Sequence, residues 1–255
     1  MLAPERYKRI MTEIEQNGHA SIADLKQLLG VSIDTVRRDL DALEKAGKLS
    51  RVHGGAVLKE EKVTNETFSR RTTANIQEKQ ELAAVAAQMI KENQAIAMNA
   101  GTTNMELARQ LVARFAKLTV VTNCLKVAEI LAANKNFTII ILGGILNNEE
   151  FALYGDSVED EIRRYNPDVA FISVNAVSLE KGLTDFRQGQ PSVIRAMIRS
   201  SKQAIAVVDS SKFETVSFMK VCDIQEIRSF VTNRSLDPDT VHKYEQSGVT
   251  IVQHE

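Results

Sequence analysis

Arg37 and Arg38 stand side by side in the run Val31-Ser-Ile-Asp-Thr-Val-Arg-Arg-Asp-Leu40. A guanidinium presents its donors in a planar fork, suited to two acceptors at once on a guanine edge or a phosphate. Ile33, Val36, Leu40 and Leu43 recur at helical spacing and predict one buried stripe, which turns Thr35, Arg37 and Arg38 outward. Ser32 is placed to cap that helix, its hydroxyl accepting from a first-turn amide. Beyond Gly47 the pattern changes to Leu49, Val52, His53-Gly54-Gly55 and Ala56-Val57-Leu58, which predicts two brief strands around a Gly-Gly turn. Lys48, Arg51, His53 and Lys59 lie on or beside this wing. Ser32, Thr35, Arg37, Arg38, Lys48, Arg51 and His53 are therefore the candidate contacts to duplex DNA, with a short helix entering the major groove.

The elements that must hold these residues precede them. Tyr7, Ile10, Met11 and Ile14 predict a first helix ending near Gly18, and Ser21 caps a second with the face Ile22, Leu25, Leu28 and Leu29. Gly30 falls where the turn into the third helix needs a left-handed backbone. Residues 1–60 carry ten Lys/Arg against nine Asp/Glu, so bulk charge alone argues little for nucleic acid. The sign is local instead, with bases at the helix front and wing, as a sequence-specific binder requires. The competing reading is a three-helix bundle whose arginines form a solvated face.

A second set of chemical candidates lies after apolar runs in the larger part of the chain. The runs 95–98, 118–122, 137–142, 169–174, 204–208, 228–231 and 249–252 alternate with helical faces at 78–91, 103–115, 123–133, 157–165, 191–201 and 238–246. This predicts a Rossmann-like α/β domain, a mainly parallel sheet with helices on both faces. Ligands bind such sheets at the carboxyl ends of the strands. The first run leads into Asn99-Ala-Gly-Thr-Thr-Asn104, where Gly101, Thr102 and Thr103 suit a phosphate cradle at a helix start. Others lead into Thr122-Asn123, Gly143-Gly144 and Asp209-Ser-Ser-Lys212, whose lysine adds an ammonium to the same rim. The alternative is a plain turn at Gly143-Gly144 and a surface charge at Lys212.

The chain of 255 residues has 44% hydrophobic and 25% charged residues and a net charge of −1. That is ordinary for soluble domains, and no apolar run approaches the ~20 residues that span a bilayer. The amino terminus lacks a basic segment leading into an apolar core, so no signal peptide and a cytoplasmic location are expected. Cys124 and Cys222 are isolated and predicted to be buried thiols, and no Cys/His spacing suggests a metal. Neither GxGxxG nor GxxxxGK[ST] occurs, which argues against a nicotinamide enzyme or an NTPase. No catalytic residue and no cofactor is expected. Asp156, Asp185 and Asp209 are loop acids with turn or capping explanations.

Residues 1–58 resemble the winged helix-turn-helix of the DeoR family of bacterial transcriptional regulators. The resemblance rests on Val31-Ser32, Thr35 to Leu40, Leu43-Glu44, Gly47, Leu49 and Arg51 to Ala56. Residues from about 75 to 252 resemble the same family's effector domain, related in fold to sugar-phosphate isomerases and CoA transferases. There the matching runs are Ala100 to Thr103, Val120 to Asn123, Leu142 to Gly144, Gly182 to Thr184 and Asp209 to Phe213. The resemblance implies a DNA-binding domain over 1–58 and an effector domain over 77–255, and the polar, charged composition of 59–76 predicts the linker between them, with Phe68 as an anchor onto one domain. The resemblance further implies a homodimer or homotetramer that represses sugar uptake or catabolism genes and leaves its operator when a phosphorylated sugar binds. Asn99 stands where the family usually has aspartate, Asn175-Ala176 where it has Asp-Gly, and Ile145-Leu146-Asn147 where an arginine often follows. Asn99 and Asn175 can hydrogen-bond sugar hydroxyls but cannot act as general bases. An isomerase-like or acyl-transfer enzyme with an accessory DNA-binding head is the rival expectation, and control by protein contacts alone is a third.

Overall fold

The computed structural model describes residues 3–17, 19–46, 48–52, 54–58 and 67–253. Gly18, Gly47, His53 and Lys59, all named above, lie outside the described residues. The chain divides into two compact units, Met1–Val63 and Thr64–Glu255.

The smaller unit runs α1 (Ala3–Asn17), β1 (His19–Ser21), α2 (Ile22–Leu29), α3 (Ile33–Lys45), β2 (Leu49–Val52) and β3 (Gly55–Leu58). Ile10 and Ile14 of α1, Leu25 and Leu29 of α2, and Val36, Leu40 and Leu43 of α3 meet in one core with Leu49 and Ala56. Two expected core residues stay outside: Leu28 is 42% and Ile33 41% exposed. On α2 the stripe follows Ile22, Leu25 and Leu29, which turns Leu28 roughly 90° away at 100° per residue. Ile33 begins α3, one turn before the buried stripe starts at Val36. Ser21 and Ser32 cap their helices by accepting from Asp24 N and Thr35 N. Gly30 holds φ 66°, ψ 31° and donates its amide to Lys26 O, so the turn between α2 and α3 is left-handed as its glycine allows. The two wing strands form an antiparallel hairpin, and β1, unexpected from sequence, extends it to the order β1-β3-β2.

The larger unit begins with α4 (Phe68–Thr73) and α5 (Ile76–Gln88), so the second half of the stretch expected as linker is largely helical. There follow β4 (Ala95–Met98), α6 (Thr102–Arg114), β5 (Thr119–Thr122), α7 (Leu125–Leu131), β6 (Thr138–Ile141), β7 (Ile145–Asn147), β8 (Ala152–Tyr154) and α8 (Asp156–Ile162). The chain continues through β9 (Val169–Ile172), β10 (Ala176–Ser178), β11 (Gly182–Asp185), α9 (Gln190–Ser200), β12 (Ala204–Val207) and β13 (Met219–Cys222). It closes with β14 (Ser229–Val231), α10 (Pro238–Gln246) and β15 (Thr250–Val252). Seven strands form one sheet in the order β15-β14-β12-β9-β4-β5-β6, parallel throughout.

Alternation along the strands explains the two helical layers. Ile96, Met98, Val120 and Phe171 enter one core with Leu82 of α5, Leu107 of α6 and Val127 of α7. Ala97, Val121, Ala170 and Ile172 face the other, with Val158 of α8, Ile194 of α9 and Tyr244 of α10. Each of the seven apolar runs read from sequence contains one strand of this sheet. The hairpin β7–β8 and the antiparallel sheet β10-β11-β13 were not foreseen. Cys124 and Cys222 are buried free thiols; burial raises both, Cys222 to about 12.

Candidate functional site

On α3 the burial of Val36, Leu40 and Leu43 leaves Ser32, Asp34, Arg37 and Arg38 exposed and Thr35 half-buried. Arg37 lies 3.8 Å from Asp34, both well exposed, and Arg38 has no ion-pair partner among the described residues. Thr35 is tied to the cap, its hydroxyl 2.9 Å from that of Ser32. Lys48 is exposed beside the wing. The Arg51 guanidinium, partly exposed, bonds Asp41 of α3, and its amide donates to Glu44 Oε1 at 2.8 Å. It therefore joins the wing to α3.

Asp39, overlooked in the sequence reading, accepts from Arg6 Nε at 2.6 Å and Nη2 at 2.9 Å. This two-pronged pair pins α1 to α3, and the hydrogen bond that Arg6 donates to Asp39 raises the Arg6 pKa. Its signal was available: Asp39 is three residues from Val36, on the edge of the buried stripe.

The parallel order places the ends of β12, β9, β4, β5 and β6 in sequence along one edge of the larger unit. After β4, a Cβ on Gly101 would lie 2.7 Å from Ser173 Oγ, so only glycine admits this approach to the end of β9. Gly101 precedes α6, whose start has no side-chain cap. The first-turn amides are thus available to an anion. The Thr102 and Thr103 side chains are nearly buried, and neither hydroxyl has a hydrogen-bond partner among the described residues. Asn104 Oδ1, also buried, has none either. Lys212, in a short 3-10 turn after β12, is half-buried and without an ion-pair partner among the described residues. Asp209 caps that turn by accepting from Ser211 N at 3.1 Å, as its position after a strand suggested.

Three expected ligand groups act instead as struts. Asn99 Nδ2 donates to Ala100 O at 3.0 Å and Ser173 O at 2.8 Å, while its Oδ1 accepts from Ser173 N at 2.8 Å. Asn123 Oδ1 accepts from Ala100 N at 3.0 Å, and its amide donates to Leu153 O and Gln190 Oε1. The Thr122 hydroxyl donates to Met98 O and accepts from Cys124 N. All three are fully buried and hold the Ala100–Thr103 turn rather than face an open edge. Asn175 is buried and likewise engaged. Gly143 and Gly144 are exposed, and the Gly143 amide is taken by Glu161 Oε2 at 2.7 Å, as in a plain turn.

Beneath the turn lies a buried charge cluster that no local pattern announced. Arg187 donates Nε to Asp185 Oδ1 at 2.9 Å and Nη2 to Asp185 Oδ2 at 2.6 Å, and its Nη1 reaches Ala100 O at 2.8 Å. Burial opposes the Arg187 charge, but Asp185 and Glu150 outweigh it and raise its pKa. Arg71 of α4 bonds both oxygens of Glu150 and lies against the rings of Phe68 and Phe186. Burial, then the nearby Arg187 charge, lowers the Arg71 pKa against the pull of Glu150. Among the described residues no group of His, Cys, Asp and Glu could hold a metal, and no helix is long and apolar enough to cross a membrane.

Comparison with known proteins agrees with this division of labour. Residues 6–62 match the family model for the DeoR-like helix-turn-helix domain, and residues 74–234 that for the DeoR C terminal sensor domain. The HTH-type transcriptional regulator GolR of Listeria innocua is 34% identical over 249 residues, covering 97% of each chain. The HTH-type transcriptional repressor GlcR of Bacillus subtilis is 32% identical over 252 residues, 99% of this chain and 96% of that one. Among solved structures, ribose 5-phosphate isomerase A from Methanocaldococcus jannaschii aligns with a TM-score of 0.41 and 17% identity over 55% of each chain. With both family models matched and regulators similar over nearly its whole length, the chain belongs to the DeoR family of DNA-binding transcriptional regulators and is not an enzyme.

Proposed function

We propose that this regulator represses sugar-utilisation genes and leaves its operator when a phosphorylated sugar occupies the carboxyl edge of the parallel sheet. The observation that carries the reading is the uncapped start of α6, with Thr102 and Thr103 lacking partners, on the same edge as the unpaired Lys212. Helix amides, two hydroxyls and an ammonium form a donor set for a phosphate monoester. Asn99, Thr122, Asn123 and Arg187 hold the cradle in shape. The similarity to GlcR, a transcriptional repressor, supports the sign of regulation.

DNA contact is assigned to Ser32, Thr35, Arg37, Arg38, Lys48, Arg51 and His53, with Arg51 also bracing the wing against α3. The working division is residues 1–58 for DNA, 59–76 for the connection and 77–255 for the effector, in a cytoplasmic homodimer or homotetramer whose symmetry matches paired half-sites. A thermal-shift screen of the full chain against phosphorylated hexoses and pentoses tests the effector class. A specific ligand raises the melting temperature, by about 2.7 kcal/mol of stability at a hundredfold excess over Kd. The same ligand dissociates the protein from duplexes that it selects from a random pool. Lys212→Ala abolishes the shift and the release while duplex binding persists; retention of both at unchanged ligand concentration removes Lys212 from the site.

A further inference from the structure

Both halves of this anion site are connected through side chains to α4, the first helix after the segment that leads from the DNA-binding unit. One route starts at Ala100, whose carbonyl accepts from Arg187 Nη1 at 2.8 Å. Arg187 lies 3.9 Å from Glu150 Oε2, and Glu150 in turn holds Arg71 of α4. The other starts at the Lys212 turn, where Asp209 Oδ1 and Ser211 Oγ each accept from Asn75 Nδ2 at 3.2 Å. Asn75 joins α4 to α5 in a left-handed conformation at φ 50°. Lys79 of α5 closes the arrangement, donating its ammonium to Arg71 O and Ala74 O at 2.6 Å.

Two physical features make this arrangement transmit displacement. Arg71, Glu150, Arg187, Asp185 and Lys79 are all buried, so letting go of one partner strands a charge away from water. The group therefore shifts together in preference to breaking. A helix of six residues has almost no stability of its own, so α4 is held by its tethers and by Phe68, packed on the core beside the Phe151 ring. A phosphate that draws the Lys212 turn towards Thr102 and Thr103 pulls on both tethers at once.

We propose that Glu150, Arg71 and Asn75 are positioning residues that report occupancy of the anion site to α4, and through it to the chain leading to the DNA-binding unit. This rests on the anion site proposed above, and its test separates the two. Amide hydrogen exchange of the full chain is followed in inorganic phosphate and in chloride at matched ionic strength. In the wild type, phosphate protects residues 99–104 and changes exchange in α4 by about tenfold. In Glu150→Gln and in Asn75→Gly, which keeps a left-handed backbone available, residues 99–104 remain protected while the α4 response falls below about twofold. The two variants break different tethers, so either carries the test if the other does not fold. Protection at 99–104 with a silent α4 in the wild type overturns the relay and leaves the site standing, as does a full α4 response in the variants. No protection at 99–104 removes the anion site, and the relay with it.

Discussion

Arg37 and Asn99 show how differently two polar residues of a motif are employed. Arg37 is solvent-exposed, and its contact with Asp34 at 3.8 Å is a surface pair worth at most about 1 kcal/mol. Exchanging that contact for a base edge therefore costs little. Arg37→Ala is expected to weaken binding to a selected duplex by roughly 1–3 kcal/mol, the value of a good bidentate base contact. A gel-shift titration with the folded variant checks this, and unchanged affinity would place Arg37 outside the groove. Asn99 has no such freedom, since its amide both gives to and takes from Ser173 across the ends of β4 and β9. An aspartate there could accept from Ser173 N but, ionised, could not donate to Ser173 O. Asn99→Ala leaves the buried Ser173 amide unpaired and Ser173 O with only the longer bond from Arg187 Nη2 at 3.4 Å, and should lower stability by about 1–3 kcal/mol. Because Asn99 is a strut, the variant's melting temperature falls but still rises with effector; loss of that rise with no loss of stability would make Asn99 a ligand contact.

At the scale of elements, what could be read from sequence was what repeats locally. The caps at Ser21 and Ser32, the turn at Gly30 and the seven apolar strands each announce themselves within a few residues, and all appear in the structure. β1, β7, β8, β10, β11 and β13 carry mixed sequences such as His19-Ala-Ser21 and Gly182-Leu-Thr-Asp185 in place of an apolar run, and their pairing depends on partners elsewhere. The charge cluster was hidden for a related reason: Arg71 and Glu150 are 79 residues apart, and Ala100 and Arg187 are 87. Within the site, the glycine and threonines of the cradle were legible because the helix start is a local feature. That Asn99, Thr122 and Asn123 face inward is decided by strands that only the sheet order brings together. The Arg6–Asp39 pair illustrates an element-level consequence. Asp39→Ala removes the link between α1 and α3 while leaving the exposed face of α3 unchanged. The smaller unit should melt several degrees lower, with duplex affinity reduced at every sequence rather than at one base position. Melting of the smaller unit at its original temperature would show that the apolar contacts of Ile10 and Ile14 hold α1 alone.

For the molecule as a whole, regulation is a free-energy coupling between two ligands and not a property of either site. A net charge of −1 over the chain gives no general attraction to DNA, so affinity must come from the local array on α3 and the wing. An effector that binds the released form better than the DNA-bound form shifts the balance by its differential affinity and no more. A change of 1–3 kcal/mol, about 5–150-fold, is the usual range for such coupling. Thermodynamic closure then requires reciprocity: the factor by which saturating effector weakens duplex binding must equal the factor by which saturating duplex weakens effector binding. Both can be measured on the same preparation, duplex affinity by fluorescence anisotropy and effector affinity by calorimetry. Equal factors of at least about fivefold are expected for the wild type. In Glu150→Gln both factors should fall together towards one, each binding event alone staying near its wild-type strength. A variant that loses one factor and keeps the other cannot be described by two linked states, and a change of association state would then have to enter as a third equilibrium.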